Sequence, residues 1–522
     1  MIENGIQTEL DAWLSTPTAF GMHDGHVERI ETHISRIYLC GDRAIKLKRA
    51  VRFPYLDFTE LAARRQACEA EVAINRRTAP EIYRGVIAVR RGPDRSLTFD
   101  GDGEPVEWLV DMRRFDEAGV FSNLVGSAGF RRRRMDEVAD KIAAFHGAAE
   151  ICPAAGGYGG TRMIIENNAE AFEAVPPHVL EREKIENLNT VTLRQLDALK
   201  EVLEQRREGG AVRHGHGDLH LGNICIWDGQ PTLFDAIEFN TDFAEIDVLY
   251  DLAFMLMDLE FRDHRRFASI AMNRYFDVTG DIAERPGSLA VLPLFLSMRA
   301  AIRAHVDAAQ STSLSDPDSR QARAAEAAKY LELALRYLAP KPPSRLIAVG
   351  GLSGSGKSRM ARELGPFLNA HPAARIVRTD AVRKRLAGAD QETRLGPEGY
   401  TADMHMRTYD AFYAETRQAL SEGHDVIMDA VFSLPQQRAH AAEIAIEMGV
   451  DFQGLWIDAP LEVREQRVRE RQNNISDVTV EITRQQMDYD LGQIDWAKID
   501  SSGPKETTIS LGKQTLGIDN SH

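Results

Sequence analysis

The chain has 522 residues, 43% of them hydrophobic and 27% charged, and a formal net charge of −16. That length exceeds what one hydrophobic core serves and predicts about two to four domains. The acidic balance argues against general affinity for nucleic acid or for an anionic membrane surface. Four scattered cysteines, Cys40, Cys68, Cys152 and Cys225, form no CxxC pair. They point away from a disulfide framework or a thiolate zinc site and toward a reducing, cytoplasmic setting. The opening MIENGIQTEL is acidic and lacks an apolar signal core. The longest apolar stretches, such as residues 289–298, read as too short to span a bilayer.

In chain order, residues 34–39 and 43–47 read as strands joined by the turn pair Gly41-Asp42. A helix over about 59–78 follows, then strands at 84–90, 97–99 and 107–112. From about Asp136 the pattern is helical, broken by a loop-and-strand region at 214–237. The arginine run Arg131 to Arg134 reads as a solvated helix start, and the glycine-rich segment 156–160 as a flexible connector. An alanine-rich helix at about 320–338 ends at Ala339-Pro340-Lys341-Pro342-Pro343-Ser344, where three prolines forbid its continuation. Beyond it, strands at 346–349, 376–378, 425–428 and 452–457 alternate with helices, which predicts a parallel sheet wrapped by helices.

Two segments carry phosphate chemistry. The first is His216-Gly217-Asp218-Leu219-His220-Leu221-Gly222-Asn223, followed by Leu233-Phe234-Asp235. Phosphoryl transfer needs a carboxylate near the attacking hydroxyl and oxygen ligands for magnesium. Asp218 is the candidate base, and Asn223 and Asp235 are the candidate metal ligands. His216 and His220 read as organisers of the loop. Asp247 and Asp251, four apart on a predicted helix, are expected to pack against it.

This combination resembles the aminoglycoside phosphotransferase and choline kinase superfamily, in which HGD replaces the HRD of protein kinases. The resemblance covers about residues 25–335. It implies that Lys46, in Ala44-Ile45-Lys46-Leu47, contacts the ATP phosphates, with Lys48 as the alternative. It further implies that Glu71, or else Glu69, is the ion-pair partner of that lysine. The segment 107–112, Val110 and Met112 included, would be the hinge whose backbone meets the adenine. No GxGxxG precedes Lys46. Glu238, Asp242 and Glu245 are candidate acids for a cationic acceptor.

The second segment, Gly351-Leu352-Ser353-Gly354-Ser355-Gly356-Lys357-Ser358, fits GxxxxGK[ST] between a predicted strand and helix. Gly351, Ser353, Gly354, Ser355 and Gly356 would cradle phosphates, Lys357 would reach the β/γ-phosphates, and Ser358 would hold Mg²⁺. Asp380-Ala381-Val382-Arg383, at a strand's carboxyl end, resembles the acceptor site of P-loop kinases of the polynucleotide kinase, zeta toxin and gluconate kinase type. That resemblance makes Asp380 the candidate base and Arg383 a substrate or phosphate clamp, while Asp380 is also placed to cap a helix. Asp429 is positioned like a Walker-B acid. Arg464, Arg467 and Arg471 share a helical face suited to a lid over the phosphates, and residues 499–503 are placed to meet the adenine. No guanine-specifying N/T-K-x-D motif is evident, which favours ATP.

The expected architecture is an α+β two-lobed protein-kinase-like domain followed by an α/β P-loop NTPase domain with a parallel sheet. The first domain is expected at 1–338, with a small lobe at about 25–112 and a helical lobe at about 113–338. A Pro-rich linker at 339–344 leads to the P-loop kinase domain at 345–522. The expected function is a bifunctional, cytoplasmic, ATP- and Mg²⁺-dependent kinase acting on hydroxyls of small molecules, not on nucleic acid or at a membrane. The alternatives are a toxin-like or polynucleotide-end kinase in the second half, or an ATP-binding regulatory protein with one inactive kinase fold.

Overall fold

The computed structural model describes residues 5–53, 56–470 and 479–518. The chain forms two compact units, Met1–Gly156 with Val212–Asp251, and Gly157–Ala211 with Leu252–His522. The elements follow the expected order, a kinase-like α+β fold and then an α/β P-loop fold.

In the first unit a six-stranded antiparallel sheet runs in the order Glu28–Glu31, Ser35–Cys40, Arg43–Lys48, Pro105–Arg113, Tyr83–Arg91, Leu97–Thr98. Leu10, Leu14, Tyr38, Ile45, Leu47 and Leu109 form the core on one face. On the other, Cys68 and Val72 of the helix Leu61–Asn75 pack with Leu39, Val110 and Met112. That helix buries Arg64, Ala67, Cys68, Glu71, Val72 and Asn75, the spacing of three and four that makes one helical face. Glu71 is carried into the interior by this periodicity. The same unit holds the helix Arg132–Ala148, the loop at residues 215–223 and the hairpin Ile224–Trp227 with Gln230–Leu233.

The second unit combines helices with a five-stranded parallel sheet ordered Arg375–Arg378, Val426–Asp429, Arg345–Gly350, Asp451–Asp458, Ala497–Asp500. Its core gathers Ile347, Val349, Leu364, Ile376, Ile427, Leu455 and Ile457. The central strand Arg345–Gly350 delivers the glycine loop to the sheet's carboxyl edge, where ligand crevices form in open α/β sheets.

Two local expectations are corrected. The segment 156–160 is not a flexible connector. Gly157, Gly159 and Gly160 belong to the helix Gly157–Glu173, and Gly156, at φ +65°, leaves room where a Cβ would come within 2.7 Å of Val212. The apolar stretch 289–298 is part of a 26-residue helix, Ser288–Ser313, long and apolar enough by length and composition to cross a membrane. Within the protein, 67% of its most apolar window is buried, and it packs along the helix Pro317–Tyr337, as a core helix does. All four cysteines are free.

Candidate active sites

In the first unit, Lys46 Nζ lies 2.8 Å from Glu71 Oε1 and 2.6 Å from Asp235 Oδ1. The strand places Lys48 two residues on and therefore on the same face. Lys48 pairs with Glu71 and Glu238 instead, out of solvent. Glu69 is exposed and pairs with Arg65 at 2.8 Å. Burial by itself would raise the Glu71 carboxyl, but the two lysines outweigh it and hold it down at about 2. Burial would likewise lower Lys46, yet Asp235 and Glu71 keep it well above the ordinary lysine range.

Replacing Glu71 by glutamine therefore leaves two buried ammonium groups short of one carboxylate, a change that costs about 3–5 kcal/mol when a buried pair loses one partner. The folded-state pKa of Glu71 is depressed, so its contribution is complete above about 4.5 and is lost as pH falls toward about 2. Thermal melts between pH 7 and pH 3 are expected to show a steeper loss for wild type than for Glu71→Gln.

Asp218 and Asn223 meet through the loop. Asn223 Nδ2 donates to Asp218 Oδ2 and to the Asp218 carbonyl, each at 2.9 Å. This fixes the carboxylate and leaves Asn223 Oδ1 as the oxygen a cation would meet. Asp235 takes φ +62°, a left-handed conformation uncommon for a residue with a side chain, and its N–H donates to the Tyr83 hydroxyl at 3.2 Å. The loop itself hangs on Asp251, whose carboxylate accepts from His216 N at 2.6 Å and Gly217 N at 3.0 Å. Asp247 accepts from Leu249 N at the start of the helix Val248–Phe261. His216 is fully buried, its imidazole lowered by burial, and its Nε2 lies 2.9 Å from the Phe234 carbonyl. The His220 ring accepts from Gly222 N at 3.0 Å.

Val110 and Met112 do not fit the hinge role. Both lie inside the sheet, Val110 between Lys46 and Val86 and Met112 between Ala44 and Tyr83, with a paired strand on either side. Glu238 is no acceptor-facing acid either, being committed to Lys48 in the interior.

In the second unit, a cleft of about 930 Å³ is lined by residues 353–360, Arg378, Thr379, Asp380, Asp429, Arg467 and residues 501–506 among others. Gly351 and Gly354 adopt φ +144° and +84°, and a Cβ at either would sit 2.3 Å from Ile457 O or 2.6 Å from Arg464 O. Only glycine leaves this loop intact. The helix Lys357–Leu364 starts at the loop's end and points its N-terminus into the cleft. The Ser358 hydroxyl hydrogen-bonds Asp429, whose carboxyl burial pushes up while Lys357 pulls it back. Asp429 Oδ1 is buried and has no hydrogen-bond partner. An orphaned carboxylate oxygen next to a serine hydroxyl is an oxygen donor set that fits magnesium.

Asp380 lines the cleft at the second residue of the helix Thr379–Leu386; the cap position belongs to Arg378, so Asp380 is not the N-cap. Arg383 is not among the lining residues. Its Nη1 donates to Gly399 O at 3.1 Å and its guanidinium lies 5.1 Å over the Tyr400 ring. Arg467 reaches the loop carbonyls of Gly354 and Ser355 at 3.4 and 3.2 Å. Arg464 is buried against Gly354 rather than facing the cleft, and Arg471 lies outside the described residues. Sequence reasoning missed Gln486, which accepts from Ser353 N at 2.8 Å and donates to Ser353 Oγ at 2.9 Å, bracing the glycine loop. A lone glutamine 133 residues from its partner carries no sequence signal.

Residues 346–490 match the family model described as an AAA domain. Rv2004c of Mycobacterium tuberculosis (strain ATCC 25618 / H37Rv) and Mb2027c of Mycobacterium bovis, both described as uncharacterized proteins, are 28% identical over 516 residues, 95% of this chain and 98% of theirs. Among solved structures, a choline/ethanolamine kinase family protein from Mesorhizobium loti is 15% identical, covering 63% of this chain and 99% of its own, with a TM-score of 0.37. The Mycobacterium tuberculosis APS kinase CysC is 19% identical, covering 34% and 99%, with a TM-score of 0.24.

Proposed function

We propose that the chain is an ATP-dependent phosphotransferase with two separate sites, each moving the γ-phosphoryl group to a hydroxyl of a small-molecule acceptor. The observation that carries this reading is convergence. Lys357, Ser358, Asp380 and Asp429, drawn from three strand ends, line one cleft, and the Lys46–Glu71–Asp235 cluster is built in the unit that also holds Asp218 and Asn223. An ATP-hydrolysing switch needs the first four groups less Asp380, whereas transfer to a hydroxyl needs a further carboxylate on the acceptor side.

Magnesium, held by Asn223 and Asp235 in one site and by Ser358 and Asp429 in the other, would supply neutralisation of phosphate charge. The chain's own groups do the rest. Lys46 and Lys357 hold the phosphates by charge-assisted hydrogen bonds. Asp218 and Asp380 each accept the acceptor's hydroxyl proton as its oxygen bonds to phosphorus and the bond to ADP breaks. Asn223 keeps Asp218 oriented, which is the positional part of the rate.

An ATP-consumption screen over sugars, amino alcohols, aminoglycosides and nucleosides tests the proposal with wild type, Asp218→Asn and Lys357→Ala. Each acceptor activity is expected to vanish in one variant and persist in the other. If both variants match wild type on every acceptor, the two-site reading is wrong.

A further inference from the structure

The strand that ends beside Asp380 is tied to a helix outside residues 345–522. Asn273, on the helix Arg265–Thr279, accepts from Ile376 N at 2.7 Å and from Arg375 Nη1 at 3.1 Å, and donates to Ala374 O at 3.1 Å. Arg375 Nη2 then reaches Asp277 Oδ1 at 2.8 Å and Glu415 Oε1 at 2.7 Å, fully buried. Arg385 pairs with the other Glu415 oxygen at 2.6 Å, and Arg378 with the other Asp277 oxygen. Gln391 Nε2 adds a hydrogen bond to the Asp277 carbonyl at 3.1 Å.

Three guanidiniums thus share Asp277 and Glu415; Arg375 is fully buried, while Arg378 and Arg385 are half-buried and Arg378 also acts on Asp429. Of the three arginines only Arg378 lines the cleft, in company with Lys357, Ser358 and Asp380, and the strand register sets it beside Asp429. That is the end of the cleft between the glycine loop and the acceptor-side carboxylate. Asp277 itself is held below its ordinary range, since burial would raise it but Arg378 and Arg375 prevail. It is therefore an anion that can hold Arg378 in place.

We propose that Arg378 contacts the phosphoryl group being transferred in the P-loop cleft, and that Asp277, from outside the P-loop fold, is the positioning residue that aims it. This rests on the reading that the P-loop cleft binds ATP. Nothing in the GxxxxGK[ST] pattern assigns either residue. The expected behaviour is discrimination: a cation at this place serves a triphosphate and is idle toward a diphosphate.

The experiment is calorimetric titration of the full chain with magnesium and either the non-hydrolysable ATP analogue AMP-PNP or ADP, taking P-loop binding as the part lost in Lys357→Ala. Arg378→Gln is expected to weaken AMP-PNP about tenfold, the size of one charge-assisted hydrogen bond, with ADP changed less than about threefold. Arg378→Lys should recover part of the loss. Asp277→Glu keeps the charge but displaces it, and is expected to fold and to show a partial, equally selective loss; Asp277→Asn should show the full one. Parallel weakening of both nucleotides, or unchanged AMP-PNP affinity in Arg378→Gln, overturns the contact. Unchanged discrimination in Asp277→Glu overturns the positioning role. If Lys357→Ala removes no binding from wild type, the P-loop reading itself falls, and this proposal with it.

Discussion

Asp218→Asn is expected to lower kcat for the acceptor of the kinase-like site about 10²–10⁴-fold, the range that loss of a positioned general base produces. The replacement keeps the local fold, because asparagine can still present an oxygen to Asn223 Nδ2, which now donates to Asp218 Oδ2 at 2.9 Å. The loop's main supports, the Asp251 carboxylate on His216 N and Gly217 N, do not involve this side chain. Melting temperature and nucleotide affinity should therefore stay close to wild type while turnover collapses. Turnover within twofold of wild type would remove Asp218 from the chemistry.

Lys357→Ala is expected to cost the P-loop site about 10²–10³-fold in kcat, as for removal of one preorganised donor to a developing charge, together with a marked loss of ATP affinity. Its effect should reach Asp429. Lys357 is the largest influence opposing burial at that carboxyl. Without it Asp429 gains protons more readily, so activity remaining in Lys357→Ala should fall off at a higher pH than in wild type. Steady-state rates from pH 5 to pH 8 measure this; an unshifted acid limb would separate Asp429 from Lys357.

What was legible in the sequence was local. The glycine loop could be read because its conformations at Gly351 and Gly354 exclude every other residue type. The loop carrying Asp218 and Asn223 could be read because its partners lie five residues apart. The helix Leu61–Asn75 was legible as a helix, but Glu71 and Glu69 stayed open until the fold showed which of them its buried face carries inward. The rest depended on distance along the chain. Asp277 and Arg378 are 101 residues apart and their pairing leaves no periodic trace. Val110 and Met112 were misplaced because a strand's composition says that it is buried, not whether neighbours flank it on both sides. Lys46 was preferred to Lys48 on the context Ala44-Ile45-Lys46-Leu47, but that Lys46 meets Asp235 and Lys48 meets Glu238 is set by the fold.

The seam at residues 339–344 has a practical meaning. Its prolines look like a place to cut, yet Leu252–His522 is one compact unit spanning it. Producing residues 345–522 on their own would strip Arg375 of Asp277 and Asn273 and open their interior charges to water. Recombination between the two halves would meet the same obstacle. A descendant that keeps the P-loop portion has to keep the helix Arg265–Thr279 or rebuild that contact.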